Sequence, residues 1–240
     1  MKKILLFFVA LAVCTSNAKA FKYESEEGFT WMGVFGMNIS GLQNHPYNSK
    51  LGALMGIRTD YMLPYAHGAY VTAGLDWTMK GGKLSALAPL DNGAVYDATA
   101  KYNLHYLEIP IRVGFRYNIT EAIGVYGEVG PYFAIGVGGR HKMRLDGDGA
   151  DVRDFEDDYT FKAFKNTEDL ERPTFQRWDA GIGFRVGVEY NEHYNLMFGC
   201  DWGLTDMYRN SLRDAYFTQN GERLTKVHNF NFSITAGYRF

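Results

Sequence analysis

Thr225-Lys-Val-His-Asn-Phe-Asn-Phe-Ser-Ile-Thr-Ala-Gly-Tyr-Arg-Phe240 is the stretch that decides the fold. From Phe230 onward every second residue is apolar or small: Phe230, Phe232, Ile234, Ala236, Tyr238 and Phe240. Asn231, Ser233, Thr235, Gly237 and Arg239 stand between them. A strict alternation describes a strand with one apolar and one polar face. A soluble domain seldom ends on a long strand with a terminal Phe. A transmembrane barrel does so routinely, because its last strand closes the cylinder against its first.

The opposite end of the chain predicts export. Lys2 and Lys3 precede an apolar run from Ile4 to Val13, and Ala18-Lys19-Ala20 follows after a polar stretch. That is the order of a charged, an apolar and a small-x-small cleavage region. The run is too short for a membrane helix, which needs about 20 residues. The expectation is cleavage after Ala20, with residues 1–20 a signal peptide and 21–240 one barrel domain. The competing reading lipidates Cys14 after Leu11-Ala12-Val13, but Val13 is a poor residue beside a modified cysteine. Loss of the leader leaves Cys200 as the sole thiol, so no intrachain disulfide forms.

Composition agrees with a barrel. Aromatics make up 16% of the chain and glycine 27 of its 240 residues, with no helical span after Val13. A net charge of -2 gives no reason to expect a nucleic-acid partner. Eight alternating segments follow one another: 30–40, 51–63, 69–80, 102–118, 123–140, 174–190, 195–207 and the C-terminal strand. In the sixth, Trp178, Ala180, Ile182, Phe184, Val186, Val188 and Tyr190 oppose Arg177, Asp179, Arg185 and Glu189. Connections after the second, fourth and sixth segments are short. Those after the first, third, fifth and seventh are longer, at 41–50, 81–101, 141–173 and 208–226. Short turns on one side and long loops on the other are the rule for outer-membrane barrels, and an even strand number returns both termini to the periplasm. Trp31, Tyr61, Tyr117, Tyr190, Tyr208 and Tyr238 are candidates for interfacial girdles.

The fold expected is therefore all-β: an eight-stranded antiparallel up-and-down transmembrane barrel. Such a bore is narrow and just filled by side chains. The polar faces carry Arg58, Lys80, Arg112, Arg116, Arg140, Arg177, Arg185 and Arg239. They also carry Asp60, Asp76, Glu108, Glu128, Asp179, Glu189 and Asp201. Unpaired charges in a closed interior are costly, so an interlocked ion network with trapped water is expected. Its main reading is a structural plug, its alternative a narrow path for small solutes or ions. A buried catalytic dyad is the third option, yet nothing places two carboxylates around a substrate. A soluble lipocalin-like barrel would turn the faces inside out, and so many charges on one face argue against it.

Four stretches carry a family resemblance. Trp31-Met-Gly-Val-Phe-Gly-Met-Asn-Ile-Ser40 and Tyr106-Leu-Glu-Ile-Pro-Ile-Arg112 resemble the first and fourth strands of the PorT-like, porin-like outer-membrane β-barrel family of Bacteroidetes. Gly130-Pro131-Tyr132 is similar to that family's Gly-Pro-Tyr. Trp178 to Glu189, Trp202-Gly-Leu-Thr-Asp206 and the final Gly-Tyr-Arg-Phe resemble its closing half. The resemblance spans essentially all of the mature chain. It implies an outer-membrane barrel, porin-like or serving secretion, without a defined substrate. The segment after the fifth strand is longer than the family's. Pro110 and Pro131 fall mid-strand, where proline removes a ladder donor, so a bulge is expected at each in preference to a one-residue slip.

Other motifs fail on chemistry. From Asp146 an EF-hand needs oxygens at positions 1, 3 and 5, Gly at 6 and Glu at 12, where the chain offers Ala150, Asp151 and Asp157. The acidic stretch through Asp158 reads as a solvated loop, and Phe155 to Phe164 as a cover for the barrel mouth. His45, His67, His105, His141, His193 and His228 show no metal-ligand spacing. Gly136-Val-Gly-Gly139 lacks the Lys and the helix of a phosphate loop. No catalytic, cofactor or metal site is expected. The protein reads as a multi-pass barrel of the cell outer membrane whose long extracellular loops contact a partner, lipid or glycan. The alternatives are a small channel and an enzyme acting on lipid or surface glycans. Expected partners are outer-membrane lipid and lipopolysaccharide, the barrel-assembly machinery through the C-terminal strand with Tyr238 and Phe240, and an unidentified extracellular or periplasmic protein.

Overall fold

The computed structural model describes residues 28–43, 48–64, 68–89, 95–146, 159–164, 175–207 and 226–240. Ala18 and Ala20 of the expected cleavage site, Cys14, Tyr208 and the acidic residues 147–158 lie outside the described residues. The strands are β1 (Phe29–Gln43), β2 (Asn48–Met62), β3 (Ala69–Pro89), β4 (Val95–Asn118) and β5 (Ile123–Asp146). They continue with β6 (Tyr159–Lys162), β7 (Trp178–Tyr190), β8 (Tyr194–Gly203) and β9 (His228–Arg239). Eight of them form one closed antiparallel barrel, each paired with the next and β9 returning to β1, while β6 adds to the far end of β5.

Alternation decides which way each side chain points, and the outcome is inverted relative to a soluble protein. Along β7 every second residue is buried, and the same holds along β9. Phe35, Ile57, Val113, Phe133, Phe184 and Ile234 point outward and are exposed, while Arg58, Asp76 and Arg185 point inward with at most 1% exposure. An apolar wall around a charged lumen is the arrangement a bilayer requires.

The two ends differ. At the turn end, β7 and β8 are joined by residues 191–193, where Asn191 (φ 49°) and Glu192 (φ 62°) are both left-handed. Two consecutive positive φ values make the hairpin turn whose twist suits antiparallel strands. Gly68 (φ 100°) ends the β2–β3 turn, and its carbonyl accepts the Arg116 N–H at 2.8 Å. Thr120 Oγ1 accepts the Ile123 N–H at 3.0 Å in the β4–β5 turn.

At the loop end the strands run further than their hydrophobic pattern suggested. β3 and β4 pair from Lys83↔Lys101 to Pro89↔Val95, so most of the expected 81–101 loop is a hairpin. Gly81, Gly82, Ala86 and Ala88 blur the apolar alternation, but backbone pairing does not need it. β5 likewise continues to Asp146, and β6 lies within the expected 141–173 loop. Two strands are shorter than expected: β7 starts at Trp178 and β8 stops at Gly203.

The prolines are accommodated without bulges, contrary to expectation. The β3–β4 ladder omits Ile109 and Pro110 opposite Leu75 and Gly74, then resumes in the same register. The β4–β5 ladder omits Ile111 and Arg112 opposite Pro131 and Gly130 in the same way. Each proline thus costs hydrogen bonds locally, not register. The one shift in β4–β5 falls at His105/Tyr106, where Val137 is the extra residue of β5. It reverses the facing of everything beyond it on β5.

Trp31, Tyr61, Tyr190, Tyr194 and Tyr238 project outward near the turn end, and Trp178 and Trp202 near the loop end. β7 spans 13 residues from Trp178 to Tyr190. At about 3.3 Å per residue and a tilt of about 40°, that is about 30 Å of height, enough for the apolar core of a bilayer.

The β1–β9 seam approaches closely at Gly36, where an added Cβ would meet Ile234 O, Thr235 Cα (2.6 Å) and Thr235 Cγ2 (2.7 Å). Gly127 has only Arg185 O, at 3.9 Å, in that position. Gly36→Ala is expected to destabilise the folded barrel by about 1–3 kcal/mol. Gly127→Ala is expected to be neutral or slightly stabilising. Urea titration of the detergent-refolded protein, read by heat-modifiable gel mobility, checks both; equal midpoints for the two variants would refute the seam argument.

Candidate functional site

The lumen is the place where chemistry-bearing side chains converge, and it is built in tiers. At its loop end Phe164, just after β6, turns into the mouth. Its ring packs against Gly136 and lies edge-on to Tyr106 at 5.6 Å. Phe175 lies edge-on to Tyr102 at 5.1 Å. Leu104, Tyr132, Ala134, Ala163, Met207 and Val227 complete this buried apolar cluster. Backbone bonds stitch it together: Ala163 N to Gly139 O (3.1 Å), Gln176 N to Met207 O (2.9 Å) and Met207 N to Val227 O (2.8 Å).

Directly beneath, Lys80 Nζ from β3 bridges Glu108 Oε2 at 2.9 Å and Asp179 Oδ2 at 3.3 Å. Asp179 also accepts Thr205 Oγ1–H at 2.7 Å, Asn229 Nδ2–H at 2.8 Å and Tyr132 Oη–H at 3.4 Å. The ammonium stands 4.5 Å from the centre of the Tyr132 ring. At mid-height Arg58 Nη2 pairs with Asp76 Oδ2 at 2.9 Å, and Arg185 Nη2 approaches the same oxygen at 3.6 Å. Arg112 Nη2 reaches Asp201 Oδ1 at 3.2 Å. Asn231 donates to Asp201 Oδ2 at 3.3 Å and accepts from Asn38 Nδ2 at 2.7 Å.

Near the turn end Arg116 and Arg239 share two carboxylates. Arg116 Nη2 and Arg239 Nη2 lie 3.2 and 3.0 Å from Asp60 Oδ2. Arg116 Nε lies 3.5 Å from Glu189 Oε2, which also pairs with Arg239 Nη1. Tyr70 donates to Glu128 Oε1 at 2.9 Å, and the Arg116 guanidinium lies over the Tyr70 ring at 4.9 Å. Met32, Val34, Leu54, Met62, Tyr126 and Met197 fill the space around them.

Of the charges assigned inward from sequence, the structure gathers Arg58, Asp60, Asp76, Lys80, Glu108, Arg112, Arg116, Glu128, Asp179, Arg185, Glu189, Asp201 and Arg239 in the lumen. Arg140 and Arg177 are corrected, for both are exposed. Arg140 follows the Val137 bulge, which turns its side chain outward. Arg177 precedes β7, and its guanidinium donates to the Phe164 carbonyl at 3.3 Å. Sequence reasoning missed Tyr70, Tyr106, Asn38 and Asn229 as lumen members. They occupy the same alternating positions as the charges, and that alternation was the signal available. Tyr238 and Phe240 lie exposed on the outer wall at the turn end. Among the described residues no His, Cys, Asp and Glu cluster has the makings of a metal site. Cys200 is half-buried on the outer side of β8.

Arg58→Met leaves Asp76 with only its longer contact to Arg185. Breaking one side of a buried pair costs about 3–5 kcal/mol. The expected result is a loss of that order in urea unfolding. A double change that also replaces Asp76 with Leu should recover part of it, not all, because Arg185 then loses its carboxylate.

A family model described as outer membrane protein beta-barrel domain matches residues 18–209. No curated protein matches the chain. Among solved structures, Ail, the attachment invasion locus protein of Yersinia pestis, is 16% identical, with 90% of this chain and 100% of that chain covered at a TM-score of 0.38. The outer membrane protein OprG from Pseudomonas aeruginosa is 12% identical, with 90% and 97% covered at 0.42. Neisserial surface protein A is 12% identical, with 90% and 100% covered at 0.38. Likenesses this distant carry no ligand or partner across. The family match, which covers most of the sequence, together with the apolar wall and ionic lumen of a closed eight-stranded barrel, makes this chain a member of the outer membrane protein β-barrel domain family.

Proposed function

We propose that this outer-membrane barrel is a non-conducting scaffold that holds a contact surface outside the cell. The observation that carries the reading is the closed lumen: an apolar cluster around Phe164 and Phe175 sits above tiers of mutually bonded charges. An ion entering from the loop end would have to displace the apolar cluster and then break buried pairs. In this reading the turn end and both chain ends face the periplasm, after removal of residues 1–20. The extended β3, β4 and β5 rise beyond the membrane toward a protein, lipid or glycan partner. Lipopolysaccharide surrounds the outer wall. The exposed Tyr238 and Phe240 of the last strand are what the barrel-assembly machinery engages. The role is non-enzymatic, since the carboxylates that a catalyst would need, Glu108 and Asp179, are engaged by Lys80 and its neighbours. The finer affiliation we infer is the PorT-like, porin-like branch of Bacteroidetes, on the Tyr106–Arg112 motif.

Planar-bilayer recording of the purified protein tests this. The expected trace is silent for the wild type and for Phe164→Ala, because the ionic tiers remain beneath the opened mouth. Stepwise openings in the wild type would establish instead the small channel for solutes or ions. Orientation is tested separately: protease added to intact cells is expected to cut within residues 147–158 and to spare the turn at 191–193.

A further inference from the structure

At the loop end the outer wall sets cations against one another. Lys83 on β3 stands directly opposite Lys101 on β4, and Lys101 directly opposite Lys142 on β5. One row closer to the membrane, Arg140 on β5 stands directly opposite Lys162 on β6. All five side chains are exposed. They share the outer face: Lys101 is out of phase with the buried Tyr102, Leu104 and Tyr106, and Arg140 and Lys142 follow the Val137 bulge. The remaining ladder partners are neutral: Asn48 for Lys83, Asn103 for Arg140 and Thr160 for Lys142. None of the five makes an ion pair among the described residues. The nearest carboxylates within these strands, Asp97 and Asp146, oppose each other four residues farther out, beyond the Thr99↔Arg144 pair.

Like charges directly opposite in a ladder repel and weaken the pairing. Lys50, near the start of β2, feels the same crowding: burial first, and the Lys101 charge second, hold its pKa below the ordinary lysine value. Opposite side chains in a ladder are only about 5 Å apart. An anion with several oxygens, seated across the row, turns the repulsion into attraction. Height selects the anion. Trp77, Leu107, Ile135 and Trp178 form one row around the wall, and its two tryptophans mark the membrane interface. Beneath that row β4 and β5 present the exposed Ile109, Val129 and Phe133. Along β3, Gly81 (in the Arg140 row) and Lys83 lie four and six residues beyond Trp77. At the strand tilt that is about 10 and 15 Å of height. The headgroup layer of a phospholipid leaflet is only about 5–8 Å deep. A phosphate carried on sugar, with acyl chains lying along the wall below, meets the cations at that height.

We propose that the outer face of β3 to β6, above the tryptophan row, binds the phosphate groups of lipopolysaccharide. The inference deepens the reading of the loop end as extracellular and rests on it. Lys83, Lys101 and Lys142 hold one sugar phosphate across three strands. Arg140 and Lys162 approach it from the row beneath, and β6 is the element that adds Lys162 to the surface. The acyl chains run down the apolar wall of β4 and β5. A soluble polyanion would meet the same charges, but nothing in it would use the apolar wall directly below them.

The probe is lipopolysaccharide, intact or stripped of phosphate with hydrofluoric acid, titrated into full-length protein refolded in detergent. The triple variant Lys83→Gln, Lys101→Gln, Lys142→Gln is expected to fold and, without lipid, to melt no lower than the wild type, because it removes repulsion. At about fivefold per charge, it is expected to bind intact lipopolysaccharide at least about tenfold more weakly. The wild type is expected to bind the stripped lipid as weakly as the variant binds the intact one. Equal affinity of the two proteins for intact lipopolysaccharide overturns the proposal. So does equal affinity of the wild type for the intact and stripped lipids. Tighter binding of a soluble sulfated oligosaccharide than of lipopolysaccharide also overturns it, since the surface would then be a polyanion site. Should the variant not fold, the comparison of the two lipids on the wild type decides alone. Binding in detergent does not depend on orientation, whereas the protease experiment on intact cells does. Failure of the charge argument and failure of the extracellular reading are thereby told apart.

Discussion

Closure of β1 against β9 is the constraint on which the rest of this structure depends. In a bilayer there is no water to satisfy a free strand edge, so each spanning strand needs a neighbour on both sides. The Met32↔Arg239 to Gln43↔His228 register supplies the last set of bonds, and Gly36 lets the two backbones approach. Eight strands joined this way enclose a bore that side chains alone can fill. The alternation of each strand then leaves little choice: whatever does not face lipid must find its partners inside.

What it finds are mostly partners from distant strands. Lys80 on β3 reaches Asp179 on β7, Arg112 on β4 reaches Asp201 on β8, and Arg239 on β9 reaches Asp60 on β2. These struts cross the bore and tie together walls that share no backbone bond. Buried ion pairs add little net stability over well-packed apolar side chains, and they are expensive to break. Their effect here is to hold the strand register: a slip of one residue would turn a row of charges into lipid and a row of aliphatic side chains onto the axis.

The loop end follows a different physics. Above the charged tiers an apolar cluster forms from segments far apart in sequence: Tyr102 and Tyr106 on β4, Tyr132 on β5, Phe164 after β6, Phe175, and Met207 and Val227 between β8 and β9. The bulge at Val137 is what admits it. By turning Arg140 outward and Gly139 inward, it opens space where Ala163 packs, an added Cβ on Gly139 standing 3.2 Å from Ala163 Cβ. A charged mouth is thereby replaced by a greasy one.

The sequence alone settled the eight barrel strands and the facing of most of their residues, because a period of two with charges on one side and aliphatic or aromatic residues on the other has one stable placement around a membrane barrel. The ending Phe230 to Phe240 and the run from Trp178 to Tyr190 carried that reading almost without ambiguity. Strand length was legible only where the pattern was strong. Past Lys80 the small residues hid a hairpin that depends on backbone pairing. The tertiary structure decided who pairs with whom, since nothing in local spacing links Arg112 to Asp201 or Arg239 to Asp60. It also decided the fate of Arg140 and Arg177, one turned by an extra residue in a ladder and the other drawn to a carbonyl on a returning loop. Both effects arise from contacts between segments remote in the chain, which alternation within a single strand cannot encode.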